Sequence, residues 1–205
     1  MGDDSPCKLD AVHWQRLRGI APEDVVVRSQ CGYLESSGYY EVDFLGSMVR
    51  VDPLQERFLS LGDEVLDLRM EGALAILVYL VEAQNIPLGG HLVSAKDLKG
   101  GEMFFRGPHS FPVAALQQAF GEDKEGFLAV GEKCGGVPGT WGDASFLVMA
   151  LPRVPVQVLL WLTDDDFPAQ ISFLFDATIA QHLPLDVIFG LVCELCFRLG
   201  NLRGQ

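Results

Sequence analysis

Apolar positions crowd into three closely spaced runs between Phe146 and Phe175. Phe146 to Leu151 is uniformly apolar. Val156 to Leu162 sets Val156, Val158, Leu160 and Leu162 on one face and Leu159 and Trp161 on the other. A strand that is apolar on both faces is covered on both, so this run is predicted to lie inside a sheet. Ile171, Phe173 and Phe175 alternate with Ser172 and Leu174, the pattern of a strand with one better-buried face. Pro152 and Pro155 lack a ladder donor and mark one corner. Asp164-Asp165-Asp166, followed by Phe167-Pro168, marks the other. The spacing predicts a three-stranded antiparallel meander over 146–175 with 156–162 in the middle. Tyr40, Val42 and Phe44 also alternate, then Leu45-Gly46-Ser47 turns and Met48 to Val51 returns, which predicts a β-hairpin over 39–52.

Helical spacing is strongest from Asp63 to Gln84. Leu66, Met70, Ala73, Leu77 and Leu80 form one stripe, and the second half of the segment is apolar nearly all round. A helix over 63–84 is predicted to lie against a sheet or under other helices. Shorter helices are predicted over 9–17, 112–120, 127–134, 176–182 and 185–199, the last capped by Gly200. Pro22-Glu23-Asp24 suits a helix start, whereas Val25-Val26-Val27 suits a strand, and both readings stay open. His91–Phe111 and Gly135–Gly142 read as loops. No repeat or linker divides the chain. The fold class is α+β: an antiparallel sheet containing the hairpin and the meander, packed with helices 63–84, 112–120 and 185–199, in a single domain over 1–205.

Composition agrees with one domain: the 205 residues are 49% apolar and 21% charged, and a chain of this length buries roughly 70% of its unfolded surface. The net charge of −13 makes nucleic acid and anionic membrane surfaces poor partners. MGDDSPCK at the N-terminus has no apolar core, so no signal peptide is expected, and Pro6 stands where myristoylation wants Ser or Thr. The longest apolar run, Ala73–Val81, is too short to cross a bilayer. The five cysteines lack a disulfide framework, which places the protein in a reducing cytoplasm.

Candidate chemistry sits at the corners and in the loops. Asp164–Asp166 carry oxygens that suit a hard cation, but an acidic turn tip without EF-hand spacing reads first as solvated; no metal site is expected. Asp166, ahead of Phe167-Pro168, is the acid most apt to point back to the sheet. By connectivity the corners form two edges. Asp143 joins Asp164–Asp166 at one, beside Trp141. Arg153 and Asp176 meet at the other as a structural ion pair. Arg106 and His109 occupy a glycine-rich loop of the kind that often carries function. Cys193 and Cys196 lie one turn apart near a helix C-terminus, where no dipole lowers a thiol pKa, and read as small buried hydrophobes. No phosphate-loop or nucleophile-elbow spacing occurs.

Several motifs together carry a resemblance: DFLG at 43–46, GGEMFFRGPHSFP at 100–112, WGDASF at 141–146, LPRVP at 151–155, DDDFPA at 164–169 and LFD at 174–176. The chain resembles the domain of unknown function 3786, an uncharacterised family found mainly in anaerobic bacteria and archaea. Some relatives look like fusions to a small cysteine-rich iron–sulfur domain. The resemblance therefore implies a setting in anaerobic redox or one-carbon metabolism, with an iron–sulfur or corrinoid protein as partner. It carries over no established activity, and it leaves the cofactor and any catalytic residues unassigned. Three functions follow in order of preference. The first is a binding or accessory module whose pocket uses Phe105, Arg106, His109, Trp141, Asp143, Trp161 and Asp166. The second is an enzyme with Asp143, Asp166 or Asp176 beside Arg153 and His109. The third is an interaction scaffold with no small-molecule site.

Overall fold

The computed structural model describes residues 9–204. Two short helices open it. In α1 (Ala11–Arg18) the Asp10 carboxylate accepts from the Val12 N–H and caps the first turn. The second, α2 (Pro22–Ser29), takes the helical option: Pro22 sits at the first turn, and only Val25 of the three valines is fully buried.

A four-stranded antiparallel sheet follows in sequential order: β1 (Gly32–Leu34), β2 (Tyr39–Phe44), β3 (Ser47–Asp52) and β4 (Arg57–Leu59). The predicted hairpin is β2–β3, paired from Tyr40↔Val51 to Phe44↔Ser47. Its turn is Leu45-Gly46, with φ of 52° and 74°, the left-handed pair that matches strand twist. Gly46 is required for a second reason: a Cβ there would lie 2.6 Å from the Cys134 carbonyl oxygen. Leu45 is buried, and its N–H donates to the Ala150 carbonyl at 3.2 Å. The hairpin tip is thus seated on the second sheet.

The stripe helix, α3, runs Met70–Glu82 and is buried on almost every side. It starts seven residues, about two turns, later than the expected start at Asp63. Residues 60–66 instead fold back on β4: the Leu66 N–H donates to the Phe58 carbonyl, Val65 bridges Leu59, and Asp63 has φ 61°. A nearby strand edge outcompeted the helix for those backbone groups.

The second sheet has the order β5-β9-β8-β7-β6. Its strands are β5 (Leu92–Ser94), β6 (Val137–Pro138), β7 (Ala144–Leu151), β8 (Val154–Trp161) and β9 (Gln170–Asp176). The meander over 146–175 is present with 156–162 at its centre, in a sheet separate from that of the hairpin. Pro152-Arg153 makes the β7–β8 turn. Pro155 stands in β8 opposite Met149, at the register shift with β7 and one residue before the β8–β9 pairing begins at Val156↔Phe175, so that ladder does not call on its missing donor.

Helices α4 (Gly101–Phe104), α5 (Ala114–Phe120), α6 (Lys124–Lys133), α7 (Ile179–His182) and α8 (Leu185–Arg203) complete the chain. Helix α8 continues through Gly200 to Arg203, because Leu199 is buried and Leu202 packs on the core beyond it. One contiguous core joins both sheets, from Trp14, Phe44 and Tyr79 to Phe146, Phe175 and Leu191. No helix among the described residues is long and apolar enough to cross a membrane.

Candidate functional site

Strand β5 is only three residues long. It pairs with β9 at Leu92↔Asp176, Val93↔Phe175 and Ser94↔Leu174, then the chain leaves in a 3₁₀ turn over 95–97. The edge of β9 is therefore uncovered along its first half. A half-open groove of about 510 Å³ lies there, within the range of small-ligand sites. Ile171 and Phe173 of β9 join Phe105, Phe111 and Val113 in its inner wall. Leu159, Trp161, Ser172 and Leu174 form the outer wall. Phe111 locks the inner wall to the core, edge-on to Phe173 at 5.5 Å and against Phe105 at 5.3 Å. Ser94, Ala95 and Lys96 close the β5 end, and Lys96 is the one charged side chain in the lining.

What fastens β5 in place is Asp176. Burial pushes its carboxyl up, but bonds from the Thr178 hydroxyl (2.6 Å) and the N–H groups of Gly89, Thr178 and Gly90 outweigh burial and hold it below the usual carboxylate range. Asp97 is likewise held low by the Ser94 hydroxyl and N–H, and so fixes the turn that ends β5.

Of the candidate residues, Phe105 and Trp161 line the groove. Arg106 and His109 do not. Arg106 pairs with Glu102 on the surface, and His109 stacks on Phe104 at 4.3 Å with its edge near Phe189. Trp141 is half-exposed in the loop before β7, where its N–H donates to the Ser145 hydroxyl.

The Asp143 edge forms as connectivity predicts: Asp143 and Asp164 line a recess of about 220 Å³ with Trp161 and Phe167. Asp143 is already engaged, accepting from the Leu162 N–H at 2.8 Å. Asp164, exposed like Asp166, is the acid that shapes the corner: its carboxylate accepts from the N–H groups of Asp166 and Phe167.

The other expected edge is corrected. Arg153 and Asp176 form no ion pair. Arg153 is buried, and its guanidinium donates to the carbonyls of Arg28 (2.8 Å), Ile86 (2.7 Å) and Val27 (3.3 Å) and to Asn85 Oδ1 (2.8 Å). The reason is the convergence of two helix ends. The last carbonyls of α2 and the segment leaving α3 have no helical partners, and a cation answers them and the dipole together. The Tyr79 hydroxyl completes the arrangement, accepting from the Arg153 N–H and donating to the Ser29 carbonyl. Beside it His182 is fully buried; its Nδ1 accepts from the Gln84 N–H, and its Nε2 has no partner. Burial first, and then the Arg153 charge, lower its pKa.

Cys193 and Cys196 are free thiols within α8. Burial pushes Cys196 up to about 12, reinforced by Cys193, and burial likewise raises Cys193. Neither is set up as a thiolate. Cys7 lies outside the described residues. Among the described residues no group of three or more His, Cys, Asp and Glu side chains converges as a metal site.

The groove residues that sequence reasoning missed are Lys96, Ser110, Phe111, Val113 and the backbone edge of β9. Phe111 follows a glycine-rich loop, and a three-residue strand such as β5 is too short to show a period.

The pattern of the domain of unknown function 3786 (DUF3786) matches residues 21–198. The chain belongs to that family. No curated protein and no solved structure matches it. In this DUF3786 protein the matched span begins at α2 and ends in α8, so both walls of the groove and its closed end fall within the family's extent.

Proposed function

We propose that the protein is a binding or accessory module whose groove beside β9 holds an apolar ligand. The observation that carries this is the groove itself: about 510 Å³, walled by Phe105, Phe111, Trp161 and the aliphatic face of β8–β9, with a single charge at one end. The setting implied by the family resemblance is anaerobic redox or one-carbon metabolism, with an iron–sulfur or corrinoid protein as partner, and the cysteine usage favours a reducing cytoplasm. The enzyme reading has less support, because Arg153 is committed to four acceptors, Asp176 to four donors, and His109 to an aromatic stack.

Displacement of anilinonaphthalene sulfonate fluorescence tests the binding reading. The dye should bind the intact chain, and Ser172→Trp, which fills the groove from a half-buried strand position, should weaken it by about tenfold or more. Unchanged dye binding in a folded Ser172→Trp variant refutes the assignment. Purification under exclusion of oxygen, followed by a visible spectrum, reports any coloured group that travels with the protein.

A further inference from the structure

The groove offers more than apolar walls, because part of its lining is backbone. The Ala177 N–H donates to the His91 carbonyl at 3.1 Å. In an antiparallel ladder successive residues direct their N–H and C=O groups to opposite neighbours. The odd-numbered residues of β9 therefore face β5, and the even-numbered ones face β8. Val93 stands opposite Phe175. Beyond Ser94 the chain turns away, so Phe173 and Ile171 have no strand opposite them on that side. Among the described residues no backbone group from another element bonds to either. Two donors and two acceptors, at the roughly 7 Å two-residue repeat of a strand, thus face a groove that is otherwise apolar.

Unpaired backbone groups in apolar surroundings are costly, and an added strand answers all four together. Its side chains would alternate between the inner wall of Phe105 and Phe111 and the outer wall of Leu159 and Trp161. The groove is closed at Ser94 by β5, so a chain lying in it must end there. At that end stands Lys96, which makes no ion pair among the described residues, in a protein of net charge −13. A terminal ammonium is repelled by it and a terminal carboxylate attracted.

We infer that the groove takes the C-terminal tail of a partner protein, laid parallel to β9, apolar at alternate positions, with its carboxylate against Lys96. This rests on the groove being the binding site proposed above. The test uses the full chain and labelled hexapeptides with free C-termini, selected from a random library and titrated by fluorescence anisotropy. Selected peptides should weaken by about tenfold or more on C-terminal amidation. They should weaken similarly when N-methylated at alternate residues, and little at the residues between. Lys96→Ala should abolish the acid–amide difference. If no peptide is selected, or N-methylation has no alternating effect, the inference is overturned. Decanoate separates the two readings: its displacement of the dye in that case leaves the groove a small-ligand site, whereas no binding of dye, decanoate or peptide removes both.

Discussion

Arg153 holds two helix ends together through a single planar group, and a point charge cannot reproduce that. Arg153→Lys keeps the charge but loses the fork, and its three donors leave at least one of the four acceptors, the Val27, Arg28 and Ile86 carbonyls and Asn85 Oδ1, without a partner. The expected cost is about 1–3 kcal/mol, and more for Arg153→Ala. Asp143→Asn retains an acceptor for the Leu162 N–H at an exposed site, and its effect should stay within roughly 0.5 kcal/mol. Urea midpoints at constant slope make the comparison, and equal losses in the two variants contradict it. His182 carries the acid sensitivity of the same region. Its folded pKa is depressed, so between that value and the unfolded one of about 6.5 the unfolded chain binds the extra proton. This contribution is complete above pH about 6.5 and is lost as the pH falls below it. His182→Gln keeps an acceptor for the Gln84 N–H and should flatten the stability profile below that pH. An unchanged slope assigns the sensitivity elsewhere.

Between elements, Gly131 sets the distance of α6 from β7. Glycine inside a helix usually costs about 1 kcal/mol relative to alanine, so Gly131→Ala is stabilising on propensity alone. Here the added methyl would sit 2.5 Å from the Phe146 ring, which is fully buried. Overpacking costs about 1–3 kcal/mol and outweighs the propensity gain, giving a net loss on the order of 1 kcal/mol. A rise in thermal midpoint for Gly131→Ala contradicts this. The boundary of α3 shows the same competition between local preference and tertiary contact. Leu66 fits the helical stripe, yet its N–H is taken by Phe58 of β4, and the helix begins at Met70. Helix α8 is held to α3 by Glu194, buried between Arg198 at 2.8 Å and Arg69 at 3.3 Å, with Arg69 also lying over the Phe197 ring.

At the scale of the whole molecule, the two sheets share one core and the hairpin tip is bonded across to Ala150. Amides of 157–161 in the central strand should therefore exchange at the global unfolding free energy, and those of Val42 and Val49 should exchange with them. A separate, lower opening energy for β2–β3 divides the chain into two cooperative units. Much of this architecture was legible in the chain. Period-two alternation marked β2 and β9, because a strand's two faces have different surroundings and the side chains record it; β7 and β8 were marked by continuous apolar runs, and β3 by the turn before it. Prolines and the triple aspartate marked the corners, because they cannot join or prefer not to join a ladder. Connectivity alone brought Asp143 and Asp164 to one edge. Three features were decided only by tertiary structure: the division into two sheets, the partners of Arg153, and the groove beside β9. Each depends on backbone groups of distant segments, namely Ala150 at the hairpin tip, Val27 and Ile86 around the guanidinium, and the early end of β5. A main-chain carbonyl or an unpaired strand edge is the same whatever side chain it bears, so no residue pattern announces where it will be met.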